Sequence, residues 1–438
     1  MVGPVGSVDR VILGGPFESA GQADEIADVD DDHDEIVPRI PKDGSWVAPT
    51  DVERELLEHL RGENIPAYLR LIAAVGGYQP VPLARTHRSP ARRLPLTTEL
   101  PDGRTVTRLY TQDVLPRPHP HVVYEYVTLR SLADVLGSEV DVLAINPETP
   151  CELYLPVDDA ERARWRRAHD ACFAPDFTNH RLITRHGGTE DTDLLHGLAC
   201  GAHLCFTNGD AWNTLDWHGS GYSAEVQRLD QWWGVQHRQD WVELQNRLLH
   251  CDVSTSDWDF VLSLRNFLAD SDGPRVDPQR WRERVDTTIR GNIAAHIPGA
   301  DTEPGESPDV DALSATLRDL VGKILRYEAR FRADELLPPD GYVRTVAAWD
   351  LGRASKMARW GRGARYASAQ EMYCALELTA REARSRYESW QEFSAGYVLG
   401  RCLHFDEEAF GDWYTEVLLS HRVLLTERDS PWLTVPFR

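Results

Sequence analysis

Two groups of side chains in this sequence have types and spacings that suit chemistry. The chemistry that the first group suits is metal binding. His196, Cys200 and His203 follow one another at four- and three-residue steps, and Cys205 lies just beyond them. Imidazole and thiolate groups at helical spacing can converge on zinc. All four residues, however, belong to the apolar run 194–206, where histidine and cysteine commonly pack into a core. We therefore expect no metal here and no cofactor elsewhere.

The second group combines charged and aromatic residues of the C-terminal half, namely Trp349, Asp350, Arg353, Glu371, Ser389, Trp390 and Arg401. Asp350 and Arg353 stand three residues apart on one face of a predicted helix, where their side chains can pair. Gly400 permits close helix approach, which would bring Arg401 near an acidic partner such as Asp350 or Glu371.

Predicted helix caps flank this second group. Ser389 suits the N-cap position before Trp390, and Ser368 with Glu371 forms an S-x-x-E capping box. The favoured interpretation is a buried charge network that fixes the register of the helices. The alternative is a polar pocket, lined by the same charged residues, that binds an anionic small molecule or a peptide end.

No catalytic signature accompanies either group. The sequence lacks a G-x-S-x-G elbow, an H-E-x-x-H pair, a Walker loop and a dinucleotide-binding fingerprint. Catalytic triads can assemble from distant positions, so the missing motifs remove evidence for an enzyme without excluding one. Catalytic residues are therefore not assigned.

Composition restricts the partners and the compartment. The formal net charge of −23 opposes attraction to nucleic acid and to anionic membranes, and no window approaches the length of a membrane-spanning helix. The seven cysteines are scattered and never form a C-x-x-C pair, which argues against a disulfide framework. We expect a cytoplasmic protein whose partner is another protein.

The N-terminal half is predicted to contain an acidic disordered tail, 1–47, and a small α/β domain, 48–158. Dense Asp and Glu at 24–35 repel one another and bury little surface. The domain begins with two short helices, the first introduced by a Thr50 and Glu53 capping box. Short β-branched and aromatic segments follow, and Asp102-Gly103 between two of them predicts a hairpin.

This α/β domain resembles the SseB-type N-terminal domain. The resemblance rests on the paired helices leading to Val81-Pro82-Leu83, on Leu109-Tyr110-Thr111 at a strand end, and on Leu143-Ala144-Ile145-Asn146-Pro147. It covers about a quarter of the chain. It implies an α/β domain without assigned catalytic residues that is commonly fused to other modules.

The C-terminal half is predicted to be a helical, tryptophan-rich domain, 193–438, joined by a charged connector, 159–192. Helical periodicity dominates from residue 193 onward, and an exposed loop is expected near 299–308, where turn formers and acidic residues concentrate. The fold class is therefore α+β.

Several segments of the helical half form an ordered set of motifs. They are Leu198-Ala199-Cys200-Gly201-Ala202-His203, Asn208-Gly209-Asp210-Ala211-Trp212-Asn213, Trp232-Trp233-Gly234-Val235, Asp240-Trp241, Trp349-Asp350-x-x-Arg353, Tyr366-Ala367-Ser368, Ser389-Trp390 and Gly400-Arg401. The set resembles the bacterial domain-of-unknown-function family 1266. This resemblance implies a helical domain without an established activity.

Two functions from different classes remain open. The favoured one is a non-enzymatic interaction or adaptor module, because two domains without catalytic signatures accompany an acidic tail suited to reversible contacts. The other is an enzyme or small-ligand sensor with a site among the helices around Asp350, Arg353 and Arg401. A role as an effector or as an immunity partner of a toxin is not decided by the residues.

Overall fold

The computed structural model describes residues 46–86, 95–117, 119–172, 181–185, 189–215, 219–273, 275–295 and 309–438. The acidic tail up to residue 45 and the loop predicted near 299–308 lie outside the described residues. Within them, a small unit of strands and helices precedes a large helical unit, which confirms the α+β fold class.

The α/β unit begins with two helices, α1 (Asp51–Arg61) and α2 (Ile65–Val75). The side chains of Leu56, Tyr68 and Ile72 are buried, because the apolar positions of both helices recur at three- and four-residue steps. The prediction of a capping box at the start of α1 was wrong. Thr50 occupies the N-cap position, but its hydroxyl donates to the Glu53 carboxylate and makes no hydrogen bond to the helix backbone.

In the described part of the chain, six strands follow α2, in two small sheets. They are β1 (Gly77–Pro82), β2 (Thr97–Glu99), β3 (Thr105–Leu109), β4 (Val122–Val127), β5 (Val142–Ile145) and β6 (Leu153–Pro156). β1 pairs antiparallel with β4, and the second sheet has the order β2-β3-β5-β6 with β3 and β5 parallel. The predicted hairpin joins β2 to β3, where Gly103 adopts a φ of 86°.

Two further helices close the α/β unit, α3 (Leu129–Val135) and α4 (Asp159–Cys172). α4 packs on α2 and α3 and buries Trp165 completely in their core. Arg162 donates to the backbone oxygens of Ala133 and Leu136, at 3.0 and 2.8 Å, which satisfies carbonyls at the end of α3. The first part of the predicted connector therefore contacts the α/β core.

The helical unit contains the remaining described helices. They are α5 (Thr192–Cys200), α6 (Ala202–Asn208), α7 (Tyr222–Trp233), α8 (Arg238–Leu249), α9 (Ser256–Asp272), α10 (Pro278–Ala295), α11 (Val310–Ala333), α12 (Ala347–Gly363), α13 (Ala369–Arg386), α14 (Trp390–Phe405), α15 (Asp412–Thr426) and α16 (Pro431–Thr434). α12 is the central helix, because it packs against α5, α8, α13 and α14 and is buried from Ala347 to Gly361.

Polar contacts hold the two units together. Arg365 of the helical unit donates to the backbone oxygens of His119 and Val122, at 2.7 and 2.6 Å. The backbone N–H of Ser223 donates to the Glu125 carboxylate at 3.2 Å, and the Ser223 hydroxyl donates to the same group. These contacts fix the edge strand β4 against the start of α7.

A close approach of α5 to α13 depends on Gly197. A Cβ atom at this position would lie 2.3 Å from the backbone oxygen of Leu376. We therefore expect Gly197→Ala to lower the free energy of unfolding by about 1–3 kcal/mol, because backbone atoms cannot move aside as a flexible side chain can.

Urea unfolding followed by circular dichroism measures this loss. Gly291→Ala in α10 is the matched control, because its Cβ would meet nothing within 4 Å. That substitution should stabilise the helix by about 0.5–1 kcal/mol. Equal effects of the two substitutions would contradict the close approach.

Candidate functional site

The predicted Asp350 and Arg353 pair is present and buried. One Asp350 oxygen accepts from the Arg353 guanidinium and, at 2.6 Å, from the Ser254 hydroxyl. The other accepts from the backbone N–H groups of Val253 and Ser254, both at 3.1 Å. Burial lowers the pKa of Arg353, and Asp350 opposes this shift. The pair therefore fixes the loop between α8 and α9 against α12.

Glu371 lies in a different ion pair. Its two carboxylate oxygens accept from Arg238 of α8 at 2.9 and 2.5 Å. Burial alone would raise the pKa of Glu371, but hydrogen bonds from Arg238 and Ser368 hold it below its usual value. The predicted Ser368 and Glu371 capping box is confirmed, so the same carboxylate caps α13 and attaches it to α8.

The acidic partner predicted for Arg401 was wrong. Its guanidinium pairs with Glu416 of α15 rather than with Asp350 or Glu371, and it lies 5.2 Å from the ring centre of Trp413. The cause is the packing of α15 on α14, which supplies a nearer carboxylate than α12 or α13 does. The predicted charged residues thus occupy three separate ion pairs.

The remaining residues of the predicted group, Ser389, Trp390 and Trp349, contact other parts of the helical unit. The Ser389 hydroxyl accepts from the backbone N–H of Glu392 at 3.2 Å, which confirms it as the N-cap of α14. Trp390 donates to the backbone oxygen of Val435 at 2.8 Å. The buried ring of Trp349 lies 4.4 Å below the Arg353 guanidinium and covers that ion pair from water.

Two more charged residues of α12 escaped the sequence analysis. Lys356 and Arg359 are fully buried. Lys356 pairs with the Asp210 carboxylate. Arg359 donates to the Cys205 sulfur at 3.2 Å and to the backbone oxygen of Ala211 at 2.7 Å. With Asp350 and Arg353 they place a charge at every third position of a buried helix. The small residues between them, such as Gly352 and Ala354, were the available signal for burial, because they let neighbouring helices approach.

The four residues weighed for zinc do not converge. His196 bonds the backbone oxygen of Phe437 at 3.1 Å, and Cys205 faces Arg359. Across the part of the chain that the structure describes, no three His, Cys, Asp or Glu side chains are placed to hold a metal ion.

His203 belongs instead to a buried histidine–serine network. Its ring nitrogens lie 2.7 Å from the Ser420 hydroxyl and 3.0 Å from the Ser394 hydroxyl, and Ser394 lies 2.7 Å from a ring nitrogen of His421. Burial lowers the pKa of His203 well below its usual value and lowers that of His421 to about 4. The network joins α6, α14 and α15 with neutral imidazoles.

The structure also contains a cleft between the two units, with a volume of about 480 Å³. Charged and aromatic side chains line it, among them Glu53, Tyr78, Asp113, Asp210, Arg181 and Trp232. Sequence analysis missed this site because its walls come from segments far apart in the chain. The segment 208–213 was quoted only for a family resemblance, yet it brings Asp210 into the wall.

Residues 228–437 match the model of the family described as Protein of unknown function (DUF1266). The predicted resemblance of the C-terminal region to this family is confirmed. The matched residues include Asp350, Arg353 and Arg401, whereas the motifs at 198–203 and 208–213 precede the match. The SseB resemblance of the α/β unit is not confirmed.

No curated protein and no solved structure matches the chain. None of the described helices, inside or outside the DUF1266 region, is long and apolar enough to cross a membrane.

The buried histidines should make the free energy of unfolding depend on pH. Burial lowers the pKa of His196 and of His421 to about 4. Histidines in an unfolded chain titrate near a pKa of about 6.5. Between these values the unfolded state binds more protons than the folded state. The contribution of these two histidines to the free energy of unfolding is therefore fully present above about pH 6.5, and it is lost as the pH falls towards about 4. Each histidine contributes a slope of up to about 1.4 kcal/mol per pH unit.

Urea unfolding at a series of pH values measures this slope. His421→Gln should lower the slope, because the unfolded state of the variant takes up about one proton fewer than that of the wild type. His121→Gln is the control, because it makes the same substitution at an exposed position. A slope that is identical in the two variants would contradict the assignment.

Proposed function

We propose that this protein is a non-enzymatic interaction module that binds a protein partner through an aromatic surface of its helical unit. The surface consists of Phe405 and Trp413, whose rings stack at 5.0 Å and remain 41% and 49% exposed. Exposed, rigid aromatic side chains beside an arginine are typical of residues that dominate protein interfaces, and Arg401 lies beside Trp413.

The loop between α14 and α15 holds this aromatic surface in place. Glu407, Glu408 and Phe410 all adopt positive φ, at 49°, 63° and 49°. The buried Asp406 carboxylate stabilises this conformation by accepting from the Tyr327 hydroxyl and the Phe410 backbone, both at 3.0 Å. A surface that is fixed before binding loses little conformational entropy on binding, which favours recognition of a partner.

The ion pairs of the helical unit also support binding over catalysis. Asp350, Arg353, Glu371 and Arg401 use their charges to connect helices, so the alternative small-molecule site among them has no specific observation in its favour. The SseB-like identity of the α/β unit and a cytoplasmic location belong to the same proposal. They are supported by the mixed sheet and by seven free cysteines, which suit a reducing compartment.

Affinity capture with Trp413→Ala tests the proposed surface. We expect the wild-type chain to recover a stoichiometric protein partner. We expect the variant to bind that purified partner about tenfold or more weakly, because the tryptophan that would become buried in the interface is lost. Trp232→Ala is the matched control, because Trp232 is also exposed but lies at the cleft. Recovery of no stoichiometric partner, or equal weakening by both variants, would contradict the proposal.

A further inference from the structure

We propose that a groove in the α/β unit binds a small uncharged molecule with a saturated hydrocarbon chain. The groove is lined by α3 and by the ribbon that β1 and β4 form, and its volume is about 570 Å³. Small-molecule sites usually measure about 300–1,000 Å³. The groove is separate from the aromatic surface at Phe405 and Trp413, so this site does not depend on the proposed protein partner.

The first wall of the groove is one face of the β1–β4 ribbon. Val81 of β1 and Val127 of β4 both line the groove. Val81 pairs with Val123, and residues an even number of positions apart in a strand point to the same side, so Val81 and Val127 share one face. This wall therefore presents aliphatic side chains.

The second wall is the helix α3. Leu132, Val135 and Leu136 follow one another at helical spacing, so they share one helix face, and all three line the groove. Leu132 and Leu136 are buried, whereas Val135 is 59% exposed. A hydrocarbon chain in the groove would remove Val135 and itself from water, which is favourable.

The polar side chains of the two walls are already bonded within the protein. The Gln79 amide donates to the Thr107 hydroxyl at 3.4 Å, and the Ser131 hydroxyl donates to the backbone oxygen of Thr128 at 2.8 Å. The Tyr126 hydroxyl donates to the backbone at the end of α2 at 3.2 Å. A polar ligand would have to break such bonds to gain its own, whereas a hydrocarbon chain leaves them intact.

The charged side chains at the groove favour an uncharged ligand. Among the described residues they are Arg85, Glu125 and Glu139. The Glu125 carboxylate already accepts from the backbone N–H of Ser223 at 3.2 Å and from the Ser223 hydroxyl. Arg85 and Glu139 contribute one charge of each sign. The class of ligand that fits is therefore an uncharged aliphatic molecule, such as a medium-chain alcohol.

Fluorescence of N-phenyl-1-naphthylamine, an uncharged apolar probe that brightens when it leaves water, tests the site on the full chain. We expect saturable binding of the probe and its displacement by straight-chain alcohols. Affinity should rise by about threefold to fourfold for each methylene from 1-hexanol to 1-decanol. An affinity that does not rise with chain length, or no saturable binding because another part of the chain fills the groove, would overturn the proposal.

The substitution Val135→Asp locates the binding in the groove. Val135 is exposed, so the variant should fold, and its carboxylate would lose water beside a bound chain. We expect the probe and 1-decanol to bind about tenfold or more weakly. Leu433→Asp in α16 is the matched control, because Leu433 is 54% exposed, and it should leave both affinities unchanged.

A second control separates the groove from the proposed partner surface. Trp413→Ala should bind the probe and 1-decanol as the wild type does. Binding that Val135→Asp leaves unchanged, or that Leu433→Asp or Trp413→Ala weakens equally, would overturn the proposal.

Discussion

The helical unit depends on one helix, α12, that is buried from Ala347 to Gly361 and still carries four charged side chains within that stretch. A charge that leaves water must meet an opposite charge or several hydrogen bonds, because its desolvation otherwise outweighs the gain from packing. Asp350 obtains its partners from the loop after α8, and Lys356 obtains Asp210 from the segment after α6. Each buried charge on α12 therefore determines where a neighbouring segment must lie.

This arrangement places the framework of ion pairs inside the helical unit and the exposed aromatic side chains at its surface. The ion pairs of α12 lie among the segments packed around it, and two further pairs join α8 to α13 and α14 to α15. The exposed aromatic surface and the cleft border these contacts, since Trp413 lies beside Arg401 and Asp210 lines the cleft. Phe405, Trp413 and Trp232 form no part of these ion pairs, so each of them can be substituted without removing a buried charge.

The sequence predicted the features that depend on local spacing. The Asp350 and Arg353 pair and the caps of α13 and α14 are set within one or two helical turns, so their residues alone indicate them. The prediction of the acidic partner of Arg401 was wrong because that partner depends on how α15 packs. Lys356 was missed because a charge at every third position also suits an exposed helix, and the cleft needed both units in place.

The thermodynamic coupling between Asp210 and Lys356 tests most directly whether the buried charges hold the helices together. Urea unfolding of Asp210→Asn, Lys356→Met and the double variant gives this coupling. We predict that each single substitution lowers the free energy of unfolding by about 3 kcal/mol and that the double variant loses less than the sum, by about 2 kcal/mol or more. Single losses below about 0.5 kcal/mol that simply add would contradict the account.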